Sequence, residues 1–594
     1  MATEFYNKCI EECYSDQEQI KVLESGTHTI IKAGPGSGKT RVLTLKAAKL
    51  LFENVEKPRG VACITYTNKA TQELKNRLNL YGIEYRKNLF IDTIHKFCIN
   101  NILLPFSDLY SNKCDIQKCK IVKNLTKYYN EFFDHFSITD KSTKDSYKKF
   151  FKEYKYKQYK NQEKAKQSYE YYSNIFYNNN CLNFDLVLDI ANEIIKDDYV
   201  CKCIEAKYPY ILIDEYQDSS IAMHTLFKTL IDKTNIIFYI VGDPDQAIYG
   251  FTASSPEYYN ELYGSEIFQK IEFHKNYRTQ NNIFNVVKNF LTNTQQIAAV
   301  NTSTGCYYKK CSNLKEQIEY IISNILPKLD TKGIKRRDVC ILYRDFHSEN
   351  PIIEILNENN VKFVDSNKIY VDKDYNDSDL VTYIEDIVLW LLEKNKQDKE
   401  LTFKQLFADY IRIFHKKKIL SFDDKKELKV NLYKTLTDYS FDKNTKFLDF
   451  IAYINTQLNI EKLLEDNNPD EIEVLKSIID KTAEHSIIQF AEFIESEDSV
   501  RLLSAHSSKG LEYKVVIIPD LEDGRYPSWW ISSDNKDELD EERRLLFVAT
   551  TRAKDYLFIL YSGFYVYKGQ RWNKGPSRYF NEIKSMFTDA DNFS

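Results

Sequence analysis

Residues 33–41 read AGPGSGKTR, and this stretch decides what kind of fold the chain can have. It satisfies G-x-x-x-x-G-K-[ST]. Gly34 and Gly38 let the backbone approach an anion, Lys39 can reach the β- and γ-phosphates of a nucleotide, and Thr40 can ligate Mg²⁺. Pro35, Gly36 and Ser37 complete the turn. Before it, HTIIKA (28–33) is a short apolar strand, and after it RVLTLKAAKLLFEN has helix-forming composition, so a bound phosphate would sit at a helix N-terminus. Strand, glycine-rich turn and helix in that order make one unit of a parallel α/β sheet. The pattern names a fuel and leaves open the work done with it.

Two further apolar runs end in polar residues. PYILIDEYQDSS carries its strand into Asp214, which places that carboxylate at the C-terminal edge of a sheet, opposite the glycine-rich turn. Asp214 would hold Mg²⁺ directly or through water, and Glu215 would orient and deprotonate an attacking water. IIFYIVGDPDQAIYG ends at Gln246, whose amide could reach a γ-phosphate.

The chain has 594 residues, too many for one core, and at ~150 residues per domain the prior is about four domains. Its net charge is −5, so contact with nucleic acid must come from a local basic groove. No apolar run approaches the ~20 residues that span a bilayer, and MATEFYNKCIEECYSDQ lacks a basic-then-apolar leader, so the expectation is a cytoplasmic protein without membrane contact. Close cysteine pairs such as Cys9/Cys13 and Cys201/Cys203 lack CxxC spacing, which favours reduced thiols over a metal site. The one biased segment, Lys144 to Asn174, interleaves lysine with tyrosine. That composition could track single-stranded nucleic acid. However, Tyr147, Phe150, Phe151 and Tyr154 recur at helical spacing, which favours an amphipathic helix with a core face.

The ordered blocks AGPGSGKTR, ITYTNKATQEL, IDEYQDSS, VGDPDQAIYGF, KNYRT, LLSAHSSKGLEY and DEERRLLFVATTRAK resemble the UvrD/Rep family of superfamily-one DNA helicases. PSRYFNEI (576–583) resembles that family's C-terminal stretch. The resemblance implies an α/β fold of two RecA-like P-loop domains with parallel sheets, each interrupted by a mainly helical insertion. On this reading the first motor domain occupies 1–104 and 181–279, with a helical insertion at 105–180. The second occupies 280–388 and 497–594, with a reduced insertion at 389–496 broken at Pro469. DVCILYR, VKFVDS, LLSAH, KVVIIPDL and DYLFILYS read as the strands of that second domain.

By the same resemblance Gln19 matches the adenine-reading glutamine, with Gln17 as the alternative, and Tyr277 and Arg41 match the pair that sandwiches the adenine ring. Arg278 and Arg552 match two arginine fingers, and Glu512 matches the acid that contacts the nucleotide sugar. Tyr66, Tyr249 and Phe251 stand where the family stacks rings on bases. Thr65, Asn68, Thr93, His95 and His506 stand where it binds the sugar-phosphate backbone. The family's usual WRGA after IYG is here Phe251, Thr252, Ala253 and Ser254, so the arginine of that site is gone and the grip on the backbone is expected to be weaker.

The function implied is ATP- and Mg²⁺-dependent 3′-to-5′ movement on single-stranded or tailed duplex DNA. The short insertion and the lost arginine favour work alongside a separate nuclease, for which an OLD-type enzyme is the candidate. DEYQDSSIAMHTLF and VGDPDQAIY resemble the helicase-like subunit of Gabija anti-phage systems. The alternatives are a free-standing repair or replication-restart helicase, and a nucleotide- or DNA-sensing ATPase that does not unwind alone. No nuclease segment follows the motor blocks, so the polypeptide is expected to cut nothing.

Overall fold

The computed structural model describes residues 4–593 apart from 67, 84–88, 111–114, 123–124, 158, 160, 251–252, 291–296, 299–304, 366–377, 393–402, 416–419, 441–444, 470, 483–485, 488–489, 491–498 and 568. Two compact units result: residues 1–323, 341–353 and 504–594 form one, and 324–340 with 354–503 the other.

The first unit is built on a six-stranded sheet in the order Phe90–Thr93, Val61–Thr65, Tyr210–Ile213, Ile237–Gly242, Thr29–Ala33, Gln269–Phe273. Every pairing in it is parallel. Parallel strands need crossovers, and the crossovers cover both faces, so the central strands are apolar on both sides instead of alternating. Ile30, Ala62, Ile64, Ile211, Ile213, Phe238 and Ile240 feed one core. Their neighbours Ile31, Ala33, Val61, Cys63, Leu212, Tyr239 and Val241 feed the other. Both faces are thereby sealed, and the C-terminal edge is where polar side chains can collect.

The lysine- and tyrosine-rich segment belongs to the first of these cores. Helices Thr126–His135, Lys141–Glu153 and Gln162–Asn178 bury Phe132, Phe133, Phe151, Tyr169, Tyr172 and Phe176. Phe151 lies flat on Tyr172 with ring centroids 3.8 Å apart, and Tyr147, Phe150 and Tyr154 pack at the margin. The aromatic half of the pattern is core, as helical spacing required.

The same unit contains a second set of parallel strands: Tyr513–Ile518 beside Ala553–Tyr561, then Cys306–Lys310, then Thr588–Asp589. Helix Lys536–Thr550 runs into the latter part of this set and delivers Arg552 immediately after its end. In the other unit Phe363–Asp365 pairs in parallel with Val500–Ser504. It also contains helices Asp379–Leu392, Phe403–Phe414, Phe422–Asp438, Phe447–Leu458, Ile460–Asn467 and Glu471–Thr482, which close on their own apolar core. Pro469 falls between the last two of these helices. All five segments expected as strands after residue 330 are strands. All the described cysteines are free thiols, and among the described residues no helix is long and apolar enough to cross a membrane.

Candidate nucleotide site and nucleic-acid track

The glycine-rich turn leaves strand Thr29–Ala33 and enters helix Lys39–Glu53 through two left-handed glycines, Gly36 at φ 69° and Gly38 at φ 85°. Only glycine adopts these angles without strain, and space reinforces the requirement. A Cβ on Gly36 would stand 2.5 Å from Asn276 Oδ1, and one on Gly38 would stand 3.2 Å from Gln19 Nε2. The loop is tied down from three sides. Ser37 Oγ donates to Gly34 O at 2.8 Å, Gln19 Nε2 to Ser37 O at 3.3 Å, and Tyr277 N to Gly36 O at 2.8 Å.

Lys39 begins the helix only 9 % exposed, and its Nζ has no hydrogen-bond partner. A buried ammonium without partners is costly, so the site is short of an anion with acceptor oxygens. Beside it Thr40 Oγ1 donates to Asp214 Oδ2 at 3.0 Å, which brings the hydroxyl and the carboxylate expected to share Mg²⁺ together. Burial, together with the charge of adjacent Glu215, pushes Asp214 up to about 7. Burial also acts on Glu215, but Lys39, Lys509 and a hydrogen bond from Gln217 outweigh it and hold that carboxylate down at about 2. Two neighbouring acids thus differ in proton affinity because one lies deeper among apolar strands while the other faces cations. Glu215 itself takes a left-handed φ of 55°, an expensive conformation for this residue type.

The opposite wall comes from later in the chain. Arg552, 1 % exposed, donates Nε to Val548 O at 2.9 Å, Nη1 to Leu511 O at 3.2 Å and Nη2 to Gln246 Oε1 at 3.3 Å. Burial and the charge of Arg278 bring it down to about 9, still protonated at neutral pH. Arg278 Nε donates to Glu512 Oε2 at 2.6 Å, and Glu512 also meets Lys554 Nζ at 2.5 Å. Gln246 donates its side-chain amide to Asp243. Lys39, Arg278 and Arg552 therefore converge, and the Lys39 ammonium, though near Asp214 and Glu215, is left without a hydrogen-bond acceptor. This is what residues that hold a nucleoside triphosphate must offer, and bound Mg²⁺ would add neutralisation of phosphate charge. Among the described residues no group of three or more His, Cys, Asp or Glu side chains could hold a metal. Mg²⁺ at such sites takes one or two protein oxygens and completes its shell with phosphate and water, so Thr40 and Asp214 suffice.

The residues expected along the nucleic-acid track are placed less openly. Tyr66 and Tyr249 stack on each other at 5.5 Å. Thr65 is buried with its hydroxyl 2.7 Å from that of Thr71. Thr93 is half-buried at the start of helix Ile94–Cys98. The His95 ring lies 4.5 Å from that of Phe184, and burial lowers its pKa to about 4. His506 falls to about 3, through burial and the charges of Arg344 and Lys509. Phe251 and the side chain of Asn68 lie outside the described residues.

Several contributors escaped the sequence reading. Lys509 Nζ donates to Asp218 Oδ2 and to Gln246 O, both at 2.6 Å, and stands 5.1 Å above the Tyr249 ring. It touches the phosphate side and the track with one ammonium. Its position in SSKGLEY, three residues before Glu512, was the available signal. Asn276 Oδ1 accepts from Arg278 N at 2.9 Å and Thr279 N at 3.0 Å and thereby shapes the KNYRT turn against Gly36. Glu541 accepts from Gly250 N at 2.8 Å, and Arg544 donates to Ala247 O at 2.7 Å, which fixes the loop that carries Tyr249. Neither role has a local sequence pattern.

Comparison with known proteins agrees with this geometry. Residues 14–266 match the UvrD/REP helicase N-terminal domain, and 271–486 with 393–563 match the UvrD-like helicase C-terminal domain. The chain belongs to the UvrD-like helicase family. It is 28 % identical to a probable DNA helicase II homolog of Mycoplasma capricolum subsp. capricolum, over 96 % of this chain and 87 % of that one. It is 26 % identical to the ATP-dependent DNA helicase PcrA of Staphylococcus aureus, over 95 % of this chain and 85 % of that one. Against PcrA of Staphylococcus epidermidis the identity is 24 %, over 98 % and 88 %. The UvrD-like helicase is an enzyme, and its parallel α/β architecture is that of paired RecA-like helicase domains.

Proposed function

We propose that this UvrD-like helicase hydrolyses ATP with Mg²⁺ to move along single-stranded DNA from 3′ to 5′, and that it acts with a separate nuclease in anti-phage defence. The observation that carries the ATPase reading is the buried, unbonded Lys39 ammonium facing Thr40 and Asp214, with Arg552 and Gln246 bonded to each other opposite. In this scheme Lys39, Thr40 and the 33–41 backbone hold the triphosphate and its metal. Glu215 takes the proton of the attacking water, and Gln246, Arg278 and Arg552 answer the charge that develops during transfer. Arg41, Tyr277 and Gln19 receive the base. Glu512 receives the sugar after releasing Arg278 or Lys554. Tyr66, Tyr249 and Phe251 stack on bases, while Thr65, Asn68, Thr93, His95 and His506 bind the strand's backbone. The six-segment division at 104, 180, 279, 388 and 496 belongs to the same proposal.

The nuclease partner rests on the short insertion and the lost arginine after Phe251, and the Gabija-type setting on the DEYQDSSIAMHTLF and VGDPDQAIY stretches. The test is strand displacement by the purified chain on 3′-tailed and 5′-tailed duplexes, with hydrolysis recorded in the same tubes. Unwinding of the 3′-tailed duplex alone supports an autonomous motor of the stated polarity. Stimulated hydrolysis without unwinding supports dependence on a partner. Hydrolysis indifferent to DNA sinks the translocase reading.

A further inference from the structure

The walls of the base pocket are held by acids from the two N-terminal helices. Helix Gln17–Glu24 is capped by Asp16, 3 % exposed, whose Oδ1 accepts from Glu18 N at 3.0 Å and Gln19 N at 3.5 Å. The other oxygen of the same carboxylate accepts the Tyr277 hydroxyl at 2.5 Å. One turn on, Glu18 Oε2 accepts from His274 N at 3.1 Å, so the strand leading to Tyr277 is docked on the same helix start. Helix Glu4–Cys13 supplies Glu12, which takes Arg41 Nη2 at 2.6 Å, and that nitrogen also donates to Cys9 O at 3.2 Å. Tyr277 is thus pinned at its tip and its backbone while the residue stays 53 % exposed. Burial, and then the bond to Asp16, keep the phenol protonated well above its usual range, so it remains a donor.

We propose that Asp16, with Glu12 as its counterpart on Arg41, is a positioning residue that sets selectivity for the adenine base by holding Tyr277 and Gln19 in one frame. The proposal rests on the reading above, in which a nucleotide at residues 33–41 places its base between Arg41 and Tyr277. One carboxylate anchors both the ring that stacks and the helix start that carries the amide reader, so its loss disturbs base recognition as a unit. The phosphate contacts come from Lys39, Thr40 and the turn, which shares with this frame the bonds from Gln19 Nε2 to Ser37 O and from Tyr277 N to Gly36 O, so they are disturbed less than base recognition is. An aspartate suits the position because its two oxygens both accept, one from the helix start and one from the phenol; asparagine could keep the cap with its oxygen, but its amide would have to donate to the Tyr277 oxygen in a neutral, weaker bond.

The experiment measures KM and kcat for ATP and for GTP, at saturating single-stranded DNA, in wild type, Asp16→Ala, Asp16→Asn, Tyr277→Phe and the Asp16→Ala/Tyr277→Phe pair. Tyr277→Phe removes only the hydroxyl that bonds Asp16 and keeps the ring and the cap, so it reports even if Asp16→Ala fails to fold. The expected result is that Asp16→Ala raises KM for ATP about tenfold and KM for GTP less than about twofold, with kcat moving far less than KM. Asp16→Asn and Tyr277→Phe should fall between, and the pair should be no worse than Asp16→Ala alone. Equal rises for both nucleotides, additive losses in the pair, or an unchanged ATP-to-GTP ratio in Tyr277→Phe would overturn the proposal. So would a wild type that uses both nucleotides equally well. A wild type without hydrolysis, or full hydrolysis by Lys39→Ala, would instead strike the ATPase reading and the proposal with it.

Discussion

The proposed phosphate pocket and the proposed nucleic-acid track lie on one unit, yet their side chains are held in opposite conditions. In the pocket a buried cation is left without an acceptor, and the loop around it is bonded on three sides. Along the track the aromatic pair stacks on itself, a threonine hydroxyl is spent on a neighbour, and Lys509 lies over Tyr249. The pocket is preorganised and lacks only its anion; the track has to exchange internal contacts for external ones. Binding in the pocket should therefore approach the gross value of its contacts, while binding on the track yields a difference between two sets.

The sharpest way to break that comparison is Lys39→Ala. Removing one preorganised donor to developing charge costs on the order of 10²- to 10³-fold in turnover, and Lys39 also carries ground-state binding. Hydrolysis should fall by about 10³-fold or more, because the one donor placed for the β- and γ-phosphates leaves with the side chain. Hydrolysis kept within about tenfold of wild type would mean that Lys39 does not answer phosphate charge and that the pocket's preorganisation serves something else.

Lys509→Met comes next and tests whether the two regions communicate. The ammonium bonds Asp218 and the Gln246 carbonyl while facing the Tyr249 ring, so a strand that shifts Tyr249 alters the same charge that holds the Gln246 loop. Stimulation of hydrolysis by single-stranded DNA should drop by about tenfold, and by more than unstimulated hydrolysis does, since a buried charge-assisted pair is lost. Equal losses in both rates would reduce Lys509 to scaffolding.

What could be read beforehand follows the same divide. The convergence of Lys39, Thr40, Asp214 and Glu215 at one sheet edge was legible because the G-x-x-x-x-G-K-[ST] spacing and the apolar run into Asp214 put them on strand ends, and the sheet order supplied the rest. The core role of Phe151 and Tyr154 was legible because burial is periodic. Lys509 and Asn276 escaped because their work lies in contacts 263 and 240 residues away along the chain, toward Gln246 and Gly36, and no local pattern encodes such a pairing. The inward turn of Thr65 was hidden for a related reason. A hydroxyl at a strand end is read as available, and only packing shows that Thr71 already holds it.

Tyr249→Ala should have a smaller effect than its stacking role suggests. A base on an aromatic ring is worth ~1–3 kcal/mol. The strand must first part Tyr249 from Tyr66, and such an aromatic pair contributes ~0.5–1.5 kcal/mol. The difference is about 1 kcal/mol, so the Kd for single-stranded DNA should rise about fivefold in a fluorescence titration. A rise of about a hundredfold would show that the internal stack costs nothing to open.

The smallest effect expected is that of pH on the track. An isolated histidine that gripped phosphate as a cation would strengthen DNA binding as pH fell through about 6.5. Here burial, with Lys152 near His95 and with Arg344 and Lys509 near His506, lowers the two values to about 4 and 3. Both rings therefore stay neutral from pH 8 down to pH 6, and they can offer hydrogen bonds but no charge. The Kd for single-stranded DNA at fixed salt should move less than about twofold across that range. The cost falls on stability instead. Below about 6.5 the unfolded chain takes up protons on these histidines and the folded one does not, so the two lower stability as pH falls toward 4, and a His95→Asn/His506→Asn variant should lose less melting temperature than wild type over that range. A binding step near pH 6.5 would mean that DNA recruits a protonated imidazole by opening its surroundings. The track would then be remade on binding to a greater depth than the exchange of Tyr66 for a base requires.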